Sequence, residues 1–228
     1  MMPGPNRHIL SEFDAVLNSF RDNANMMASL TQRNLDHARQ GLFEVDEDHC
    51  NTAIADHEEI DLLERQMDRD GMNLLMRFQP VASDLRIVIA TMKISVNLER
   101  ISDLAVNIAR RARKLIAASP PGQAEALRPL FEHATRMLND AVAAFSTGNL
   151  EPVRSLKIRD RELATKSQEL AGNITTRMSF ELDDGVARYL ELIFILRYLE
   201  QIGNLSTNLV EDAVLAYSKD AIPSNEEC

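Results

Sequence analysis

ISVNLERISDLAVN, residues 94–107, decides how this chain folds. Ile94, Leu98, Ile101, Ala105 and, just beyond, Ile108 follow alternating steps of four and three, the spacing that lines up one face of an α-helix. A second stripe lies roughly opposite: Leu85, Ile89, Met92 and Val96. On that side the apolar positions give way to Glu99 and Asp103, with Asn107 one turn further. A helix can carry charge on its wet face at no cost, but these acids fall in step with an apolar stripe. The stretch returns 101 residues later as ILRYLEQIGNLSTN, 195–208, and six of fourteen positions are identical. They include Glu99/Glu200 and Asn107/Asn208 as well as four Leu or Ile pairs. A shared Glu and Asn at fixed offsets from an apolar pattern point to an internal repeat, two three-helix units in tandem.

The rest of the chain supports an all-α fold. Its 228 residues are 45% hydrophobic, enough for a sizeable core, with few aromatics and no Trp. Helix-forming Leu, Ala, Glu, Arg and Met dominate. Six long helices are expected, over about 8–39, 46–78, 83–118, 123–146, 149–180 and 183–217. Their breaks fall at Gly41, at Gln79-Pro80, at the Ser-Pro-Pro-Gly of 119–122, at Gly148 and near Glu181. Ser83 is a candidate N-cap for the third helix. The organisation read from this is a first bundle over 1–118, a linker at 119–122, a second bundle over 123–218 and a tail at 219–228.

Charge narrows the function classes. The net charge of −10 argues against nucleic acid as a partner. Residues 44–70 hold eleven acids against Arg65 and Arg69, so that segment carries −9, nearly the whole excess. A solvated helix face and a cation-attracting surface both account for such a run. No apolar run reaches membrane-spanning length and no signal peptide is expected. Two cysteines, Cys50 and Cys228, read as reduced thiols of a cytoplasmic protein.

Side chains four apart on a helix stand about 6 Å apart on one face, so the Glu99 and Asp103 charges repel unless compensated. The second helix offers more acids. A tight turn at Pro80 makes helices two and three antiparallel, so residues equidistant from it share a height. Asp61 matches Glu99, and Glu58 and Glu64 lie one turn either side. In the second repeat Glu162 matches Glu200. Carboxylates converging from two helices suit a hard or borderline cation: iron, manganese, zinc, magnesium or calcium. Salt bridges to Arg65, Arg69 and Arg100 are the structural alternative.

QPVASDLR, 79–86, followed by KISVNLERISDLAVNIA, 93–109, resembles the PhoU family of accessory regulators of bacterial phosphate transport. The resemblance extends over nearly the whole chain. It implies a cytoplasmic, non-enzymatic protein that represses the phosphate-starvation response when phosphate is plentiful. It implies two partners, the ATPase subunit of the phosphate ABC transporter and a sensor histidine kinase, so any membrane contact is peripheral and made through them. A homodimer is also implied. Family members carry an E-x-x-x-D motif in each repeat, and some bind iron or zinc there. Residue by residue, the first motif falls on Glu99 and Asp103, followed by Asn107, and the helix-two acid on Asp61. The second falls on Glu200 and then Asn204, where the family pattern has Asp, with Asn208 beyond. The family pattern also has Arg after the glutamate, where this chain has Gln201. It has Gly before the aspartate, where Ser102 stands in repeat one and Gly203 in repeat two. Site one is therefore expected to hold metal better than site two.

Among the other features, Arg110, Arg111, Arg113 and Lys114 complement the C-terminal dipole of the third helix or meet an acidic partner. His57 lies beside the acidic face and could join site one. The Glu-x-x-His tetrad of di-iron oxidases is missing, as are Gly-rich phosphate loops, Gly-x-Ser-x-Gly and Cys-x-x-Cys. Two function classes remain. One is a regulatory adaptor; the other is a carboxylate-ligated metallohydrolase, which would need an open coordination position in a walled pocket.

Overall fold

The computed structural model describes residues 5–118, 121–151, 153–181 and 183–217. Half of the expected linker and the whole expected tail lie outside the described residues. The elements are α1 (Pro5–Glu44), α2 (Glu47–Phe78), α3 (Ala82–Ala118), a 3₁₀ segment (Pro121–Leu127), α4 (Arg128–Thr147), α5 (Val153–Met178) and α6 (Asp183–Tyr217). The fold is all-α, with six long helices in two tandem bundles, and there is no strand among the described residues.

Several helix ends differ from the sequence reading, each for a local reason. α1 runs through Gly41, because that glycine lets α2 pack against it. A Cβ there would lie 2.3 Å from Cys50 Sγ and 3.0 Å from the Cys50 backbone nitrogen. The Asp46 carboxylate caps α2, accepting the N–H groups of Asp48 at 2.8 Å and His49 at 3.3 Å. α2 ends before Pro80 as expected, with Gln79 left-handed at φ 46° and its N–H on the Leu75 carbonyl. Ser83 is not a cap: it lies inside α3, and its hydroxyl reaches the Asp84 carboxylate at 3.5 Å. α4 begins at Arg128 rather than near residue 123, since the preceding chain winds as a 3₁₀ helix and Pro129 suits a first turn.

α1, α2 and α3 form one bundle and α4, α5 and α6 the other. The bundles join chiefly along α3 and α6, which run antiparallel: Lys93 meets Asp212 at one end and Arg111 meets Glu191 at the other. α1 and α4 touch on one side of that pair, where Gln32 donates to Asn139 at 2.7 Å and Ser146 to Asn25 at 2.8 Å. α2, α3, α6 and α5 therefore stand side by side across the opposite face, called the front below. A continuous core runs through both bundles and includes Phe20, Ile60, Leu98, Ile101, Phe131, Leu163, Leu199 and Ile202. Each fully buried Leu or Ile contributes about 1.5–3 kcal/mol. α6 is packed by α3, α4 and α5, and leaves exposed a stripe that includes Arg197, Gln201 and Asn204.

The repeat is visible in burial. Ile94, Leu98, Ile101 and Leu104 are matched by buried Ile195, Leu199, Ile202 and Leu205, an offset of 101. On α2 and α5 the matching buried residues are Ala53/Leu156, Ile60/Leu163 and Gly71/Ile174, an offset of 103. The α5–α6 hairpin is thus two residues shorter than the α2–α3 hairpin.

A carboxylate site on the front face

Part of the acidic run belongs to helix-end and surface chemistry. Glu47 and Asp48 occupy the first turn of α2, where negative charge suits the helix dipole. Asp56 and Glu59 face Arg33 on α1, at 3.1 and 3.9 Å. The remainder gathers around Glu99. His57 is held by a chain of hydrogen bonds that begins at buried Asn34, whose amide donates to the Ala53 carbonyl at 2.5 Å. Ser102 Oγ donates to Asn34 Oδ1 at 3.3 Å. The serine oxygen therefore accepts from His57 Nδ1–H, 3.0 Å away. That leaves His57 Nε2 directed at Glu99, 4.0 Å from Oε1. Ser102, which stands where the family pattern has Gly, orients the imidazole.

Partial burial raises the Glu99 carboxyl above the usual carboxylate range; His57 opposes the shift, while the charges of Asp103, Glu64 and Asp61 add to it. Glu64 is raised too, by burial and then by Asp68 and Asp61. Asn107 donates to Asp103 at 3.3 Å. Asp61 is paired with Arg65 at 2.8 Å, so the salt-bridge alternative holds for that acid. Arg69 and Arg100 make no ion pair with these acids among the described residues. Glu58 is exposed and makes no hydrogen bond or ion pair among the described residues. The donors suit a hard or borderline cation in kind: carboxylates crowded against like charge, with one oriented imidazole. Among the described residues, however, no three His, Cys, Asp or Glu side chains converge on one point that could hold an ion.

This crowding has a sign that can be tested. A carboxyl whose folded pKa lies above its unfolded value destabilises the fold when ionised. The penalty is full above the folded pKa and disappears as pH falls towards the unfolded value. Glu99→Gln is therefore expected to raise the Tm of metal-free protein by about 2 °C at neutral pH. The gain should vanish as pH falls through the ordinary glutamate range, as measured by thermal unfolding across that range.

The second motif is built differently. Glu200 is paired with Arg197 at 2.8 Å. The side chains of Asn204 and Asn208 make no hydrogen bond among the described residues. Glu162 does not face Glu200; it is exposed, and its charge acts on His133 instead. The acid beside Glu200 is Asp160, raised by burial and then by Glu200. The offset of 103 explains this: His57, Asp61 and Glu64 correspond to Asp160, Ala164 and Ser167. Gly203, in the place of Ser102, admits Leu163, whose Cδ2 would lie 2.4 Å from a Cβ there. The two motifs share a cleft of about 670 Å³ between α3, α5 and α6, walled by Arg100, Asp103, Asp160, Arg197, Glu200 and Asn204 among others.

Two polar locks at the ends of the α3–α6 pair were not read from sequence. Asp212, almost fully buried, takes Lys93 Nζ and the Asn97 amide, the latter at 3.2 Å. Glu191 takes Arg111 at 2.8 Å and Lys114 at 3.2 Å, and the Arg111 guanidinium lies 4.2 Å over the Phe194 ring. Two of the four bases at the end of α3 thus hold the second bundle.

Antiparallel packing of two repeats, each presenting a motif to a common front face, defines a tandem helical-bundle protein with paired polar sites. The PhoU domain model matches the chain twice, over residues 25–112 and 127–213. The chain belongs to the PhoU family. It is 33% identical over 212 residues to the phosphate-specific transport system accessory protein PhoU homolog of Pseudomonas putida, covering 90% of this chain and 80% of that protein. The crystal structure of PhoU from Pseudomonas aeruginosa is 29% identical and superposes with a TM-score of 0.84, covering 89% of this chain and 97% of that one. The regulatory protein PhoU of the phosphate transport system from Streptococcus pneumoniae has the same fold, at TM-score 0.81 and 21% identity, over 93% of this chain and 100% of that one. None of the described helices is long and apolar enough to cross a membrane.

Proposed function

We propose that this chain is a non-enzymatic regulator of phosphate uptake that represses the phosphate-starvation response. It acts in the cytoplasm as an adaptor between the ATPase subunit of the phosphate ABC transporter and a sensor histidine kinase. The double match to the PhoU domain carries this reading. The relatives named as accessory proteins of phosphate-specific transport support it. Self-association as a homodimer belongs to the same reading.

Site one is the proposed cation site. Glu99 and Asp103, with Asp61, Glu64 and His57 beside them, would have to draw together to hold a divalent or trivalent ion such as iron, zinc, manganese or magnesium, since no three of them converge on one point. When bound, the ion supplies positive charge that offsets the crowded carboxylates. Site two, with Asn204 in place of an acid and Ala164 and Ser167 in place of the α2 acids, is proposed to bind metal weakly or not at all. Glu99→Gln should therefore lower the metal retained after dialysis, read by elemental analysis, without loss of helix content.

The functional test is a phosphatase reporter of phosphate starvation in a deletion strain grown in high phosphate. The reporter is expected to turn on and to be silenced again when this chain is restored. A reporter that stays off in the deletion strain contradicts the assignment as repressor.

A further inference from the structure

We propose that the outward face of α2 and α3 is a docking surface for a basic amphipathic helix of a partner protein, an inference that rests on the adaptor reading. The α3 stripe that the core does not cover remains open: Leu85 is 39% exposed, Ile89 36% and Val96 45%. Beside it on α2 stand Met72 and Met76, 47% and 64% exposed. The two helices are tightly apposed here, since a Cβ on Gly71 would lie 2.5 Å from Met92 Sδ. Further along, the same helix faces turn acidic. On α2 the sequence 61, 64, 68, 72, 76 proceeds in helical steps from Asp61, Glu64 and Asp68 to the two methionines. On α3 the stripe passes from Leu85 and Ile89 to Glu99 and Asp103. The surface is thus apolar at one end and acidic at the other, about 27 Å long at 1.5 Å per residue.

The fold itself does not require this chemistry. At the corresponding positions of the second repeat, Thr175 and Ser179 replace the exposed methionines and Arg197 replaces Val96. Ala164, Ser167 and Ala171 replace the three α2 acids. The same architecture is built there without the two-part surface.

Charge complementarity selects the occupant. A helix with aliphatic anchors at one end and Lys or Arg at the other matches both halves, in the helix-in-groove mode. Flexible exposed methionines suit the apolar end. A second copy is the poorer match, because two-fold pairing of this face sets its acidic end against either acids or the apolar end, never against bases, in a chain of net charge −10.

The probe is a fluorescent peptide of about 18 residues, long enough to span the surface, with leucines along one face of its first half and lysines along the same face of its second. Anisotropy titrations use the full chain stripped of metal, because a cation on Glu99 and Asp103 would offset the acidic end. Binding is expected and should weaken as salt is raised. Ile89→Asp should weaken it about tenfold, the cost of losing one central apolar anchor. Leu190→Asp, the equivalent position in repeat two and 42% exposed, should leave it within about twofold. Asp61→Asn with Asp68→Asn should flatten the salt dependence. Met76→Lys replaces Ile89→Asp should that variant fail to fold. Equal weakening by Ile89→Asp and Leu190→Asp overturns the proposal, as does no effect of either. So does an absence of peptide binding to a dimer that Ile89→Asp splits, which would show a second copy covering the face. Loss of peptide binding leaves repression of the reporter standing, whereas a bound peptide without reporter control would overturn the adaptor reading alone.

Discussion

Lys93→Met is expected to lower stability by about 3 kcal/mol, a fall in Tm of about 6–12 °C. The loss arises on the partner. Lys93 is itself more than half exposed, but its ammonium is the cation held by Asp212, whose side chain is 5% exposed. Burial raises the Asp212 carboxyl, and the bonds from Lys93 and Asn97 pull it back. Without the lysine, an ionised carboxylate is left in the α3–α6 seam with only the Asn97 amide. The folded pKa of Asp212 lies above its unfolded value, so the penalty is present above the folded pKa and is relieved as pH falls through it. Thermal unfolding of Lys93→Met at alkaline and mildly acidic pH should therefore show the larger loss at alkaline pH. Lys93→Met with Asp212→Asn should recover most of the loss, because the neutral amide needs no cation. A pH-independent loss that Asp212→Asn does not rescue would place its origin elsewhere.

Gly41→Ala is expected to cost about 1–3 kcal/mol, because α1 and α2 must separate at their closest approach. The added methyl meets Cys50 Sγ at 2.3 Å and the Cys50 backbone nitrogen at 3.0 Å. The thiol is fully buried, and burial pushes its pKa up to about 11, so it remains neutral. Cys50→Ala should rescue part of the loss in a double-mutant cycle, since it removes the sulfur but not the backbone contact. Chemical denaturation of the four proteins measures the coupling. Additive losses would mean that the added methyl does not meet the Cys50 thiol.

These two sites show what was legible in the sequence and what was not. The 101-residue echo of the α3 pattern in α6 was legible because both helices bury the same face, and burial leaves a period of three and four. Gln79-Pro80 was legible because a proline constrains the residue before it wherever it lies. Gly41 was misread as a helix end, since a glycine that ends a helix and one that admits a neighbour look alike in one dimension. Ser83 was misread as a cap because Ala82 takes the turn conformation, at φ 50°. The polar locks depend on pairs such as Lys93 and Asp212, 119 residues apart, and no local spacing records them.

The candidate site was legible to the same degree. Glu99, Asp61 and Glu64 share a neighbourhood because a short hairpin preserves equal heights on antiparallel helices. The same rule failed for Glu162, because the second hairpin is two residues shorter and turns Asp160 towards Glu200 instead. Burial exposes that slip, as it fixes which α5 residues face inward. The Asn34–Ser102–His57 chain was beyond sequence reading, since three helices must meet before the serine has both partners.

On the proposed reading, repeat one, with its crowded carboxylates, performs the regulatory work, and repeat two carries Ala164, Ser167 and Asn204 where repeat one has acids. The most direct measurement complements the deletion strain in high phosphate with two double variants at matched expression. Glu99→Gln with Asp103→Asn should leave the phosphatase reporter on. Glu200→Gln with Asn204→Ala should silence it as the parent chain does. Equal silencing by both variants, or silencing by the first alone, would contradict the claim.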